Sequence, residues 1–320
     1  MAAGTPLQNE YLNYDGESRW KRTFKTLIRD RWLYLMILPG VIFFLLFKYG
    51  SMWGVLIAFK DYNGFLGFWK SPWVGFVHFQ RLFSETTFLM LIRNTVMLAL
   101  YNLVLYFPVP IMVALMLNEV KNVRFKRAIQ TFIYVPHFIS WVVAVGIFYV
   151  LFTPEGGLIN EIIVRMGGQE INLLWNERAF RPFYTAQVIW KEAGWGTIIF
   201  LAALTGIDTQ MYEAASIDGA TRWQKMFYIT LPAIRSTVVI LFILRLGNFL
   251  DTGFEHVYNL LNPLNRNVAE VFDTYVYDNG IVNGYYSYST AIGLFKSVVG
   301  LILVYFANKA AKRIGEEGIF

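Results

Sequence analysis

The chain has 320 residues, of which 56% are hydrophobic, 18% aromatic and only 16% charged, with a formal net charge of +6 and a mean hydropathy of +0.43. That apolar excess excludes an ordinary soluble domain and makes it an integral membrane protein. Cysteine is absent, which excludes disulfide frameworks and thiolate metal sites, and His78, His137 and His256 are too scattered in sequence to suggest a ligand cluster.

Residues 1 to about 17 are polar and aperiodic, the pattern of a mobile tail. Trp20, Phe24, Leu27 and Ile28 then recur at i, i+4, i+7 and i+8 among Arg19, Lys21, Arg22, Lys25, Arg29 and Arg31, which predicts a helix lying on the inner leaflet. It is not a cleavable signal peptide, because the apolar run comes late and leads into a full span without a small-residue cleavage site. The expected division is a tail and interfacial helix over 1–31 and a transmembrane domain over 32–320. Crossing the hydrocarbon takes about 20 apolar residues, and six segments qualify: 32–49, 93–118, 128–152, 184–206, 233–254 and 287–308. Pro39, Pro108, Pro110 and Pro136 interrupt them. In a membrane such breaks are tolerated where neighbouring helices satisfy the freed backbone groups, so a packed bundle is expected.

Basic residues orient the spans. They cluster before the first span, in the link "NEVKNVRFKR" (Lys121, Arg124, Lys126, Arg127) and at Lys309, Lys312 and Arg313. Both termini are thereby expected in the cytoplasm, with 50–92, 155–183 and 255–286 outside and 207–232 inside.

The stretch "EAASIDGATRWQKMFYITLP", residues 213 to 232, reads as two short helices joined by a sharp corner. Asp208 can cap the first, Gly219 can supply the left-handed residue that ends it, and Thr221 to Gln224 form a capping-box pattern that starts the second. Pro232 suits the first turn of the next span. Met211, Ala214, Ala215 and Ile217 give the first helix a small apolar strip, and Trp223, Met226, Phe227 and Ile229 give the second a bulkier one.

Glu213-Ala214-Ala215, three residues, Gly219, nine residues, then Ile229-x-Leu231-Pro232 is similar, in fixed positions and spacing, to the EAA signature of membrane permease subunits of bacterial binding-protein-dependent ABC importers. The resemblance implies an all-α, polytopic fold of six transmembrane helices, the type I ABC importer permease fold, in the cytoplasmic membrane. It also implies that the EAA loop docks on a cytoplasmic ATPase through Glu213, Ala214, Ala215 and Gly219, with Asp218 and Arg222 at the rim. Two ATPase subunits, a second permease subunit of different sequence, an extracytoplasmic solute-binding protein and membrane lipid are the implied partners; nucleic acid is not. No G-x-x-x-x-G-K-[ST] run occurs. ATP and magnesium therefore belong to the partner ATPase, and this chain is expected to hold no cofactor and catalyse nothing.

Ionisable residues inside spans mark polar paths or internal pairs. Lys191 and Glu192 fall in span four, Arg245 and Asp251 in span five, and Lys296 in span six. Lys191 and Trp195 are four apart; Arg245, Asn248, Phe249 and Thr252, spaced i, i+3, i+4 and i+7, would share one helix face. Cations, amides and rings on such stripes suit a hydroxylated, partly charged ligand. A structural reading stands beside it: Lys191 pairs with an acid such as Asp251, Lys296 snorkels to an interface, and the rings are packing. Counted without gaps from Glu213, the positions of Lys191, Glu192, Trp195, Arg245, Asn248, Phe249 and Thr252 fall where the maltose importer's larger permease subunit contacts its sugar, but here cations stand where a neutral-sugar site would be uncharged.

"WKEAGWGTIIFLAALTGID" resembles the sugar-permease branch named for lipoprotein or complex-polysaccharide uptake. Within that branch a cationic path implies a uronate oligosaccharide, and overall similarity points to the first permease subunit of an alginate-oligosaccharide importer. The alternatives are a neutral-oligosaccharide permease and, more remotely, an ion-coupled secondary transporter, which would leave the EAA loop unexplained.

Overall fold

The computed structural model describes residues 19–313, Gly315 and Gly318; the expected tail over 1–17 lies outside them. Among the described residues the secondary structure is helical apart from one isolated antiparallel bridge between Lys60 and Trp73. Four helices are long and apolar enough to cross a membrane: Arg31–Phe59, Thr86–Glu119, Glu177–Thr205 and Tyr286–Arg313. Two bent pairs supply the others, Val123–Phe138 with Trp141–Phe152, bent by 103°, and Arg222–Ala233 with Arg235–Gly247, bent by 56°. With each bent pair taken as one span, the six spans follow the sequence order expected.

The chain divides into two units between Leu56 and Ile57. In the first, the helix Arg19–Arg29 precedes Asp30, and the helix Arg31–Phe43 passes into a π-helical turn over Phe44–Tyr49. Its apolar side chains, from Trp32 to Leu46, are exposed on all sides, as a lipid-facing span requires.

The second unit is held by three apolar clusters. One joins the second, third and fourth spans to the 257–271 segment through Leu98, Val145, Tyr184 and Val257. Another joins the helix Val77–Ser84 to the second and sixth spans through Leu82, Leu91, Phe272 and Ile292. Ala114, Phe200, Leu204 and Ile234 close the bundle near the 207–232 loop. Glycines allow the closest approaches. A Cβ on Gly194 would stand 1.8 Å from Ile133 O, and one on Gly300 would stand 2.7 Å from Gly247 O.

Three departures from straight spans have local causes. In the second span a π turn over Asn102–Tyr106 makes Phe107 N donate to Asn102 O, five residues back, just before Pro108 removes a donor. The third span is not the continuous helix expected over 128–152. Pro136 lies in a 3₁₀ turn, Ile139 is extended, and Ser140 caps a new helix by accepting from Val143 N. The fifth span breaks at Ile234, just after Pro232, and ends at Gly247 rather than continuing to 254.

Candidate functional site

The 207–232 loop is built as its residue types dictate. Asp208 accepts from Gln210 N at 2.9 Å and caps the helix Thr209–Ile217. That helix closes with Ala220 N on Ala215 O and Gly219 N on Ser216 O, a Schellman pairing that needs the φ of +76° found at Gly219. Thr221 and Gln224 then exchange capping-box bonds of 2.7 and 3.3 Å to start the helix Arg222–Lys225. Lys225 Nζ, 2.6 Å from Ser216 Oγ, and the Tyr212–Thr230 hydroxyl pair, at 2.9 Å, tie the two arms into a knob. Glu213, Ala214, Asp218, Gly219 and Arg222 are exposed and Ala215 is half-buried. Met211, Ile217, Trp223 and Phe227 are also exposed. Among the described residues Glu213, Asp218 and Arg222 make no ion pair, so their charges are available to another surface.

A cavity of about 490 Å³ lies inside the second unit, lined by Asn102 and Tyr106 of the second span, Trp141 of the third, Tyr184, Val188 and Glu192 of the fourth, and Arg245 with residues 248 and 251–253 and His256 beyond it. The expected helical stripe of Arg245, Asn248, Phe249 and Thr252 does not exist, because the helix stops at Gly247 and Asn248 leaves helical geometry. Gly253, at φ +80°, turns the chain into the helix Phe254–Leu260. The unwound segment curls around the cavity, so Arg245, Asn248 and Thr252 still line it. Phe249 lines a smaller adjoining recess, also bounded by Arg245 and Asn102.

The three expected cations separate. Lys191 is 4% exposed and does not line the cavity. Its Nζ lies 2.8 Å from Glu192 Oε1, 3.0 Å from His137 O and 5.0 Å from the Trp141 ring centroid. His137 Nδ1 donates to Glu192 Oε2 at 2.7 Å, and Trp195 stacks on His137 at 4.4 Å. This network bolts the bent third span to the fourth; a buried ammonium needs such partners. Lys296 pairs with Asp273, whose other carboxylate oxygen receives Thr252 N, and so braces the cavity wall from outside. The partner of Lys191 is thus Glu192 rather than Asp251, and Lys296 is paired internally rather than snorkelling. Arg245 alone of the three has no ion pair or hydrogen bond among the described residues; its guanidinium stands over the Tyr106 ring at 5.6 Å.

Sequence reasoning did not find Asn102, Tyr106, Trp141, Tyr184 or His256. His256 is sandwiched between Trp141 (3.8 Å) and Tyr184 (4.3 Å), and its Nε2 donates to Gln187 Oε1 at 2.9 Å. Burial, then the charge of Lys191, push its pKa down to about 3, so the imidazole is neutral. Asn102 Oδ1, Thr252 Oγ1 and His256 Nδ1 are buried without a partner. Asn102 carried a signal, an amide in the middle of an apolar span.

Residues 106–316 match the family described as binding-protein-dependent transport system inner membrane component. The chain belongs to this family. The permease is 59% identical to the polygalacturonan/rhamnogalacturonan transport system permease protein YteP of Bacillus subtilis (strain 168), over 94% of each chain. It is 57% identical to protein LplB of the same organism, over 92% of each. A solved bacterial alginate ABC transporter, in complex with its alginate pentasaccharide-bound periplasmic protein, has a chain similar to the permease at TM-score 0.85 and 40% identity, covering 93% of the permease and 100% of that chain. A second structure, of a bacterial ABC transporter involved in the import of the acidic polysaccharide alginate, matches at TM-score 0.84 and 41% identity, over 92% and 99%. The all-α ABC importer permease fold expected from the EAA signature is the fold of this chain.

Proposed function

We propose that the permease forms half of the translocation path of an ATP-driven importer for acidic oligosaccharides, with a uronate oligomer as substrate. The observation that carries this reading is the Arg245 guanidinium, which makes no ion pair or hydrogen bond among the described residues, on a cavity whose other walls carry the Tyr106, Trp141 and Tyr184 rings beside Glu192 and Asp251. A guanidinium replaces the hydration of a carboxylate with charge-assisted hydrogen bonds. Tyr106, Trp141 and Tyr184 offer flat faces to sugar C–H groups. The relatives named for polygalacturonan/rhamnogalacturonan and for alginate transport support the same chemistry.

In this reading the chain is a multi-pass protein of the bacterial inner membrane with both termini in the cytoplasm, and the helix Arg19–Arg29 lies on the inner leaflet. The 207–232 knob docks on one of two ATPase subunits through Glu213, Ala214, Ala215, Asp218, Gly219 and Arg222. ATP and magnesium are held there, a second, different permease chain completes the path, and a solute-binding protein delivers the sugar from outside. The chain itself catalyses nothing.

A neutral oligosaccharide is the second reading, favoured by Asp251 and Glu192, whose carboxylates also border the cavity. ATPase stimulation of the reconstituted importer by binding protein loaded with galacturonate, mannuronate or neutral trisaccharides decides between them. Stimulation by the uronates alone is expected; stimulation by neutral sugars alone would remove the acidic reading.

A further inference from the structure

Arg93 and Arg181, from the second and fourth spans, converge on one neutral oxygen. Arg93 Nε lies 3.3 Å and Arg181 Nη2 3.0 Å from Asn94 Oδ1. The amide cannot turn away, because Asn94 is fully buried and its Nδ2 donates to Asn267 O at 2.9 Å and Glu270 O at 3.0 Å. Arg93 Nη2 is anchored on Asn267 O at 2.7 Å, with Asn267 Oδ1 at 3.4 Å, while Arg181 Nε is buried without an acceptor.

Neither guanidinium makes an ion pair among the described residues. The nearby acids do not neutralise them. Glu270 takes Arg266 at 2.6 Å, and Glu177, one turn before Arg181, is exposed and makes no ion pair. Two cations held against a shared amide repel each other; Arg181 has a single protein acceptor, and Arg93 uses Nε and Nη2 while its Nη1 has none. A bidentate anion relieves the repulsion and fits the planar forks.

We propose that Arg93 and Arg181 form a carboxylate-binding site, a second station for the oligosaccharide that reaches the Arg245 cavity. Asn102, nine residues further along the second span, and Tyr184, three further along the fourth, both line that cavity. At 1.5 Å per helical residue those offsets are about 13 and about 4.5 Å. The fourth span runs from Glu177 towards the 207–232 loop, so the arginine pair lies beyond the cavity on the side away from that loop. An oligomer with a carboxylate on each ring can occupy both stations at once, which a monosaccharide cannot.

This inference rests on the acidic-substrate reading, and the test separates the two. The detergent-solubilised importer, without binding protein, is titrated with trigalacturonate and with its neutral trimethyl ester. The parent complex should bind the acid at least tenfold more tightly than the ester. R93Q/R181Q should weaken the acid about tenfold and leave the ester unchanged, and R93K/R181K should recover part of the loss because charge returns without the fork. Unchanged acid affinity in R93Q/R181Q overturns the site while leaving the acidic substrate in place. Acid and ester affinities falling together make the pair structural and overturn it too. A parent that binds the ester as tightly as the acid removes the acidic substrate, and this site with it.

Discussion

Arg245 and Tyr106 face each other across the cavity wall, guanidinium carbon 5.6 Å from the ring centroid. A cation over a ring is held but not neutralised. Such a contact contributes about 0.5–2 kcal/mol, which orients the fork and leaves its donors for an incoming anion. Tyr106→Ala should therefore raise the half-saturating concentration of an acidic oligosaccharide by roughly 2- to 30-fold, and Tyr106→Phe should preserve it. Uptake into proteoliposomes reads both; equal loss in the two variants would mean that the hydroxyl matters and the ring does not.

Lys191 is expected to act on stability and not on selectivity. Removing one member of a buried pair costs about 3–5 kcal/mol, and the lower end applies because the Glu192 carboxylate keeps 23% exposure. Lys191→Met should lower the unfolding temperature of the purified complex by several degrees, and Lys191→Met with Glu192→Gln should recover much of it. The ratio of acidic to neutral sugar uptake should stay at the parental value in Lys191→Met. A collapse of that ratio would return Lys191 to the substrate path.

At Gly219 the backbone alone makes the demand. A Cβ there would meet nothing within 4 Å, yet φ is +76°, and a branched residue in that region costs about 1–3 kcal/mol. Gly219→Val should reduce stimulation of the ATPase by loaded binding protein several-fold with membrane insertion intact. Gly219→Asn should stay near parental, because asparagine tolerates the left-handed region. Full coupling in Gly219→Val would show that the corner is not what the ATPase grips.

His256 sets a pH dependence whose sign is fixed by its burial. Its folded pKa of about 3 lies below the ordinary 6.5, so the unfolded chain binds more protons between those values. The stabilisation is complete above about pH 6.5 and is lost as pH falls towards about 3, on the order of 2 kcal/mol by about pH 5. Thermal melts of the complex from pH 8 to 5 should decline along that course, and His256→Gln should flatten it. Uptake should show no inflection near pH 6.5 traceable to His256, because the imidazole adds no charge to the cavity there.

How much of this was legible in the sequence differs between loop and cavity. The 207–232 knob was readable because each of its devices is local: Asp208, Gly219 and the Thr221–Gln224 box act within four residues of themselves. The spans were readable because apolar length is a one-dimensional signal. The cavity was not, since its walls come from four spans and a loop brought together by bends. Pro136 and Ser140 turn Trp141 inward, and unwinding after Gly247 carries Thr252 and His256 round to meet Tyr184. Periodicity assumes that a helix continues, and here the functional residues begin where it stops. The Lys191–Glu192 pair was equally hidden. Neighbours on a helix do not face each other, and these two meet because His137 and Trp141, from another span, crowd them together.

The most direct measurement is uptake of a uronate trisaccharide and its neutral ester by the reconstituted importer carrying Arg245→Ala or Arg245→Lys. A buried charge-assisted hydrogen bond contributes about 1.5–3 kcal/mol, so Arg245→Ala should cut acid uptake at subsaturating sugar by roughly 10- to 150-fold, with complex assembly intact and the ester unaffected. Arg245→Lys should fall between. Parental acid uptake in Arg245→Ala, or loss of acid and ester alike, would contradict an Arg245 cavity that receives the substrate's carboxylate.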